Sequence, residues 1–293
     1  MNNNFRTAEE WLNLAQKQGV SLAQVVIGSE VARSGLSQVA VLDKMCLHLQ
    51  TMHEAVQAGI REPAFSRSGL TGGGAYNLAQ AWERGETLTS SLYLRASLYA
   101  LAVAEVNAAM GLICAAPTAG SAGVVPAVLL ALAEEIDSPE PTLLEALFVA
   151  AGVGQVAAEQ AELVGAALGC QAEIGVAAAM AAAGGAYLAG CTAQAALDAG
   201  ALALQNLLGL ACDPVAGFVE IPCVARNAAA ATNALTCVEL VRAGFSSPIP
   251  LDEVISAMVD IGKRLPLELR ETSRGGLALT PTGQRLAQNC RLK

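Results

Sequence analysis

The 293-residue chain is short of aromatic residues, of basic residues and of histidine. Aromatics make up 4% of it, 17 Lys and Arg face 26 Asp and Glu, and the two histidines are His48 and His53. Each shortage excludes something. With a formal charge of −9 and no basic stripe, the chain has little to neutralise phosphates or to hold an anionic bilayer, so neither nucleic acid nor a membrane is expected as a partner. Few aromatics leave the core to many tight contacts between small side chains. No loop ends in Gly-Lys-Ser/Thr and no GxGxxG follows a strand, which argues against a nucleotide site. No run alternates with period two, so strands are expected to be few. The start, Met1 to Arg6 followed by Glu9 and Glu10, lacks the basic-then-apolar order of a secretory signal, and a cytoplasmic location is expected. No Pro/Ser-rich or charge-rich linker divides the chain, which predicts one compact unit.

What is present is helical. The chain is 54% hydrophobic and 15% charged, the balance of a folded globular protein. Trp11, Leu12, Leu14 and Ala15 recur at helix spacing, and Ser21 reads as a cap. From about Ser37 to Ala58, Val41, Met45, Leu49, Met52 and Val56 form an apolar stripe, with Gly59 expected to stop the helix. Ile174 to Leu197 carries no charge and is long enough to span a bilayer. Its Ala and Gly content, with Gly184-Gly185, Thr192 and Gln194 inside it, instead predicts a central helix packed on all sides. The fold class is therefore all-α: one domain over 1–293, with an N-terminal helical part of about 1–60 packing on a core of about 61–293.

Four Gly/Pro-marked polar loops interrupt the helices, at 67–74, 116–123, 212–217 and 274–283, and their recurrence suggests one shared site. In Pro117 to Val125, small residues run straight into an apolar helix. Backbone N–H groups and the Thr118 and Ser121 hydroxyls would meet there at a helix start, an arrangement that cradles an anion and that ordinary caps also use. Without a lysine, a small carboxylate suits it better than a triphosphate, which makes Thr118, Gly120 and Ser121 the substrate-binding candidates.

Three of the eight cysteines sit beside polar or turn residues: Cys170 in Gly-Cys-Gln-Ala-Glu173, Cys212 in Cys-Asp-Pro214 and Cys223 in Ile-Pro-Cys223. Their long, uneven spacing matches neither the C-x₂-C of zinc ribbons nor that of ferredoxins. A site made from them would be held by the tertiary fold, and three thiolates leave a tetrahedral or cubane centre with one open position, a Lewis acid if iron occupies it. Alternatively each is a small buried hydrophobe, which is the reading adopted for Cys46, Cys114, Cys191 and Cys237 inside apolar helical runs. A structural Cys₃ zinc site is a third reading.

Loops and cysteines together resemble a family, the α chain or catalytic domain of bacterial iron–sulfur L-serine dehydratases (L-serine ammonia-lyases). The segments that carry the resemblance are Ser68-Gly-Leu-Thr-Gly-Gly73, Glu105-Val-Asn-Ala-Ala-Met-Gly111, Ala116-Pro-Thr-Ala-Gly-Ser-Ala-Gly-Val-Val-Pro126, Gly169-Cys-Gln-Ala-Glu-Ile-Gly175 and Cys212-Asp-Pro-Val-Ala-Gly-Phe-Val-Glu-Ile-Pro-Cys223. Arg226-Asn-Ala228, Leu269-Arg-Glu-Thr272, Gly275-Gly-Leu-Ala278 and Thr280-Pro-Thr-Gly283 complete the set, which runs nearly the full length in family order.

The resemblance implies a predominantly helical fold and a four-iron, four-sulfur (4Fe-4S) cluster on Cys170, Cys212 and Cys223. It implies conversion of L-serine to pyruvate and ammonia, a step of amino-acid catabolism and gluconeogenesis. Serine would bind through its carboxylate and its hydroxyl at the open iron, a base would take the Cα proton, and hydroxide would leave to iron. Ser68, Thr71, Asn107 and Arg226 are candidates around the reacting groups, with Arg226 alternatively paired to Glu220 or another acid. Glu173 and Asp213 flank ligands and are placed to orient them. Cys290 is a candidate fourth ligand, because some relatives insert a C-terminal cysteine. In the family a β chain or domain carries a Gly-His motif proposed to supply the base; none occurs here, so a β-chain partner is expected, and a homo-oligomer is compatible with the sequence. Two segments depart from the family pattern: Glu159 to Gly165, where relatives show an Asn-Ala-Ser-Ile-Ser-Gly-like stretch, and Gly72-Gly73-Gly74, where many have Gly-Gly-Asp. These departures keep two alternatives open, a different β-substituted amino acid as substrate or a silent metal-binding or regulatory subunit.

Overall fold

Small side chains allow helix axes to approach closely, and the computed structural model, which describes residues 4–291, is built on that property. Among the described residues there are thirteen α-helices and no strand beyond two isolated bridges. In chain order they are α1 (Ala8–Gln18), α2 (Leu22–Ser34), α3 (Gln38–Arg61), α4 (Gly74–Glu83), α5 (Leu92–Ala108), α6 (Val124–Glu135), α7 (Glu140–Gln160), α8 (Gly165–Leu168), α9 (Ile174–Leu188), α10 (Ala193–Gln205), α11 (Cys223–Arg242), α12 (Leu251–Arg264) and α13 (Pro281–Arg291).

The expected central helix exists, but it is α9, buried along its whole length except at Tyr187 and packed on by α6, α7, α10 and α11. It does not continue to Leu197. Gly190 turns left-handed at φ +77° and the Thr192 side chain accepts from the Ala195 N–H, capping α10. The uncharged run is thus two antiparallel-type neighbours joined by a tight turn, and Cys191 lies in that turn rather than inside a helix. Cys114 likewise lies in the extended stretch after α5, with its Sγ 3.7 Å from His48 Nδ1. Cys46 and Cys237 are helical as expected, in α3 and α11.

Ser37 caps α3, yet Gly59 does not end it; the helix runs on to Arg61. The glycine is there for contact. A Cβ at Gly59 would sit 2.5 Å from the Ala102 carbonyl oxygen of α5, so the two backbones could not meet over any other residue. Elsewhere, distant acids fix helix starts: Asp252 of α12 accepts from the Ala8 and Glu9 N–H groups of α1, and the buried Glu105 of α5 accepts from the Gly74 and Ala75 N–H groups of α4. Ser21 and Gln24 form a full capping box at α2. α7 is long and apolar enough to cross a membrane, and it packs against α9, α2 and α3 here.

Gly59→Ala places a methyl against fixed backbone, and overpacking of this kind outweighs the gain in helix propensity. Denaturant unfolding is expected to show a loss of about 1–3 kcal/mol. Gly35→Ala, at a left-handed cap in open space, involves no packing clash and serves as a control for conformational strain alone.

Candidate active site

Two core helices deliver the site. Cys170 opens the turn that leads into α9, directly after Gly169, whose φ of +80° only glycine adopts readily. Cys223 is the first residue of α11. Cys212 comes from the connection between α10 and α11, where it forms a two-rung parallel bridge with the C-terminal segment: its N–H donates to the Leu269 carbonyl at 2.8 Å, and the Glu271 N–H donates to its own carbonyl at 2.7 Å. All three cysteines are buried.

The structure brings the three thiols into one neighbourhood, each within electrostatic range of the other two. Cys170 is held below the usual thiol range, first by the neighbouring Cys212 thiol and then by the Arg226 charge, against the effect of burial. Cys212 is pushed up by the neighbouring Cys170 thiol and by burial, and burial pushes Cys223 up to about 12. Among the described residues no three His, Cys, Asp or Glu side chains converge closely enough to hold one metal ion.

Arg226, one turn into α11, spans the cysteines. Its charge lies beside Cys170, and it donates to the Ala211 carbonyl at 2.7 Å and pairs with Asp213 at 3.1 Å. It does not pair with Glu220. Asp213 also accepts from the Leu277 N–H at 2.9 Å, so it ties the C-terminal segment to the site. Glu173 accepts from the Thr118 hydroxyl at 2.8 Å, and its carboxyl is raised by burial and by the neighbouring Glu271 charge.

The anion cradle takes a different form from the one the sequence suggests. The Thr118 hydroxyl is committed to Glu173, and the fully buried Ser121 hydroxyl bonds back to the Ala116 and Thr118 carbonyls. Neither is a free donor. What the loop does leave are the Ala119 and Gly120 N–H groups, which have no acceptor among the described residues. Asn107 donates to the Ala119 carbonyl at 3.0 Å and steadies the loop from α5.

Ser68 and Thr71 do not reach the cysteines either; their hydroxyls bond Glu220 at 2.7 and 3.1 Å. Cys290, on α13, lies against the Ser68 carbonyl, 3.8 Å away.

Three participants are not among the candidates named from the sequence. Asn227 holds the cradle to α11, donating to the Gly120 and Cys223 carbonyls and accepting from the Gly123 N–H; its sequence signal is its place in Arg226-Asn-Ala228. Glu271 lies in Leu269-Arg-Glu-Thr272, but its φ of +60° and its bridge to Cys212 are visible only in the fold. Gly165 reads as an ordinary helix start, yet a Cβ there would lie 2.8 Å from both Cys212 Sγ and Glu173 Oε2. The segment that departs from the family pattern therefore ends against the site. Ala216, Glu271 and Ser273, three of the five described non-glycine residues with positive φ, surround it as well, and such strain gathers where the fold over-determines a functional geometry. A cleft of about 820 Å³ lies elsewhere, between α3, α6 and α7; a cleft of about 510 Å³ runs past Glu271 and Ala216 beneath α13.

Known proteins give this geometry a context. The profile of the family described as serine dehydratase alpha chain matches residues 17–278. A protein of Bacillus subtilis named probable L-serine dehydratase, alpha chain, is 45% identical over 96% of this chain and 94% of its own length. The L-serine dehydratase alpha chain of Peptoniphilus asaccharolyticus is 35% identical over 97% and 98%. L-serine dehydratase 1 of Escherichia coli is 36% identical over 94% of this chain, which spans 62% of that longer protein. With the profile matching residues 17–278 and relatives 35–45% identical over nearly the whole chain, the chain belongs to the serine dehydratase alpha chain family.

Proposed function

We propose that this chain is the catalytic chain of an L-serine dehydratase, a lyase that converts L-serine to pyruvate and ammonia. The observation that carries the reading is the meeting of Cys170, Cys212 and Cys223 around Arg226, in a chain whose relatives bear that name. The donor set fits an iron–sulfur cluster. Three soft sulfurs meet with no histidine among them, and Arg226 and Asp213 orient the ligand loops from behind. A cluster spreads its ligands over several metal atoms, which suits three thiols delivered by three separate segments of the fold.

Cys170, Cys212 and Cys223 would hold a four-iron cluster, and its iron without a protein ligand would supply a Lewis acid toward the departing hydroxyl. The chain's own residues do the rest. The Ala119 and Gly120 N–H groups receive the carboxylate, held in place by Asn107 and Asn227. Thr118 and Glu173 form a fixed polar pair beside them. Arg226 keeps positive charge next to Cys170 and Cys223 and opposes the effect of burial on their thiolates. His48 and His53 are exposed on α3, so the Cα proton passes to a base on a partner β chain. A cytoplasmic setting, where thiols stay reduced, completes the reading.

Anaerobically prepared chain mixed with its β chain is expected to form pyruvate from L-serine, and neither chain alone to do so. A loaded complex that turns over no amino acid would instead assign the chain a silent metal-binding role. Preference for threonine or cysteine over serine would locate the effect of the altered 159–165 segment. Gly165→Ala, which sets a methyl against Cys212 and Glu173, is expected to lower pyruvate formation by up to ~100-fold while leaving the circular-dichroism spectrum unchanged.

A further inference from the structure

Glu220 is a buried carboxylate that lacks a cation. It is 5% exposed, and no Lys, Arg or His among the described residues pairs with it. Its Oε2 accepts from the Ser68 hydroxyl at 2.7 Å and from the Thr71 hydroxyl at 3.1 Å. No donor among the described residues reaches Oε1, and since every sealed buried side-chain oxygen has a partner, Oε1 opens to space. An ionised carboxylate only accepts, so both hydroxyl protons point at it. Ser68 Oγ then takes its own bonds from the Leu70 N–H and from Ser66, whereas the Thr71 Oγ1 lone pairs stay free. Glu220 Oε1 and Thr71 Oγ1 are therefore neighbouring acceptors with spare lone pairs at a buried carboxyl group, and burying such a group without a cation is costly.

The pocket adjoins the site. Glu220 stands three residues before Cys223, and its neighbour Val219 covers Gly120 of the carboxylate cradle, with Val219 Cγ1 3.0 Å from where a Gly120 Cβ would be. One loop thus links the donors offered by Ala119 and Gly120 to the acceptors offered by Glu220 and Thr71. An amino-acid zwitterion needs both.

We infer that Glu220 and Thr71 receive the α-ammonium group of the amino-acid substrate, with Ser68 and Ser66 holding the pocket in shape. The inference rests on the reading of the chain as an amino-acid lyase, and it identifies the specificity element of that site: substrates must carry a free amine.

The test compares L-serine with 3-hydroxypropionate, which is serine without the amine, on the anaerobically loaded complex with its β chain. KM and inhibition constants are measured together with calorimetric binding. The wild type is expected to bind serine more tightly than 3-hydroxypropionate. Glu220→Gln, which can still accept from Ser68 and Thr71, is expected to raise KM for serine by ~10- to 100-fold and to leave 3-hydroxypropionate within about twofold. Thr71→Val should weaken serine selectively and less. It carries the test if the first variant misfolds. An unchanged serine KM, or equal weakening of both ligands, would overturn the inference, the second by reducing Glu220 to a loop tie. Restoration of the variant's KM by added potassium would also overturn it, assigning the pocket to a free monovalent cation. A wild-type complex that makes no pyruvate would sink the functional reading instead, while calorimetric discrimination between the two ligands would still report on the pocket.

Discussion

Three thiols and one guanidinium have to be held at one point by segments far apart in sequence, and most of the irregular backbone serves that end. The solution is to place the sulfurs on the rigid parts of the fold. Cys170 leads into α9, the most deeply buried helix, and Cys223 begins α11, which packs along it. Cys212 has no helix, so it is fixed by its bridge to the 269–271 segment and by Arg226 reaching back to the Ala211 carbonyl. Sites built on core elements hold their geometry better than sites on loops. The strained residues Ala216, Glu271 and Ser273 lie where a loop must be bent to complete the set.

The acidic balance of the chain acquires local meaning at this site. Asp213 is matched by Arg226, Glu173 by the Thr118 hydroxyl, and Glu220 by two hydroxyls. Negative charge is thus met by one half-buried guanidinium at Asp213 and by hydroxyls at Glu173 and Glu220, with free backbone N–H groups in the neighbouring loop. A small zwitterion is drawn by such an arrangement end for end, each terminus finding its complement, without help from the overall field.

Much of this was legible in the residues. Helical periodicity and the absence of alternation fixed the fold class, and turn residues beside Cys170, Cys212 and Cys223 set them apart from Cys237, which lies buried within α11. Where the reading failed, the cause was tertiary. Gly59 looks like a stop until α5 is packed on it, and the run from Ile174 to Leu197 looks continuous because Gly190 and Thr192 give only local signals. Thr118 and Ser121 carry the right groups for a carboxylate, yet their protons are claimed by Glu173 and by the loop itself, which no spacing reveals. Sequence offers Arg226 either Glu220 or another acid, and the fold selects Asp213, because charge complementarity in sequence ignores which side of a loop each residue occupies.

The central claim is that Cys170, Cys212 and Cys223 share one inorganic centre. Iron and acid-labile sulfide should be measured on anaerobically purified protein, alongside Cys212→Ala and Cys237→Ala. The account predicts near-equal amounts of iron and sulfide in the wild type and in Cys237→Ala, at roughly four of each per chain, and their loss in Cys212→Ala. Zinc in place of iron, or iron and sulfide retained in full without Cys212, would contradict it.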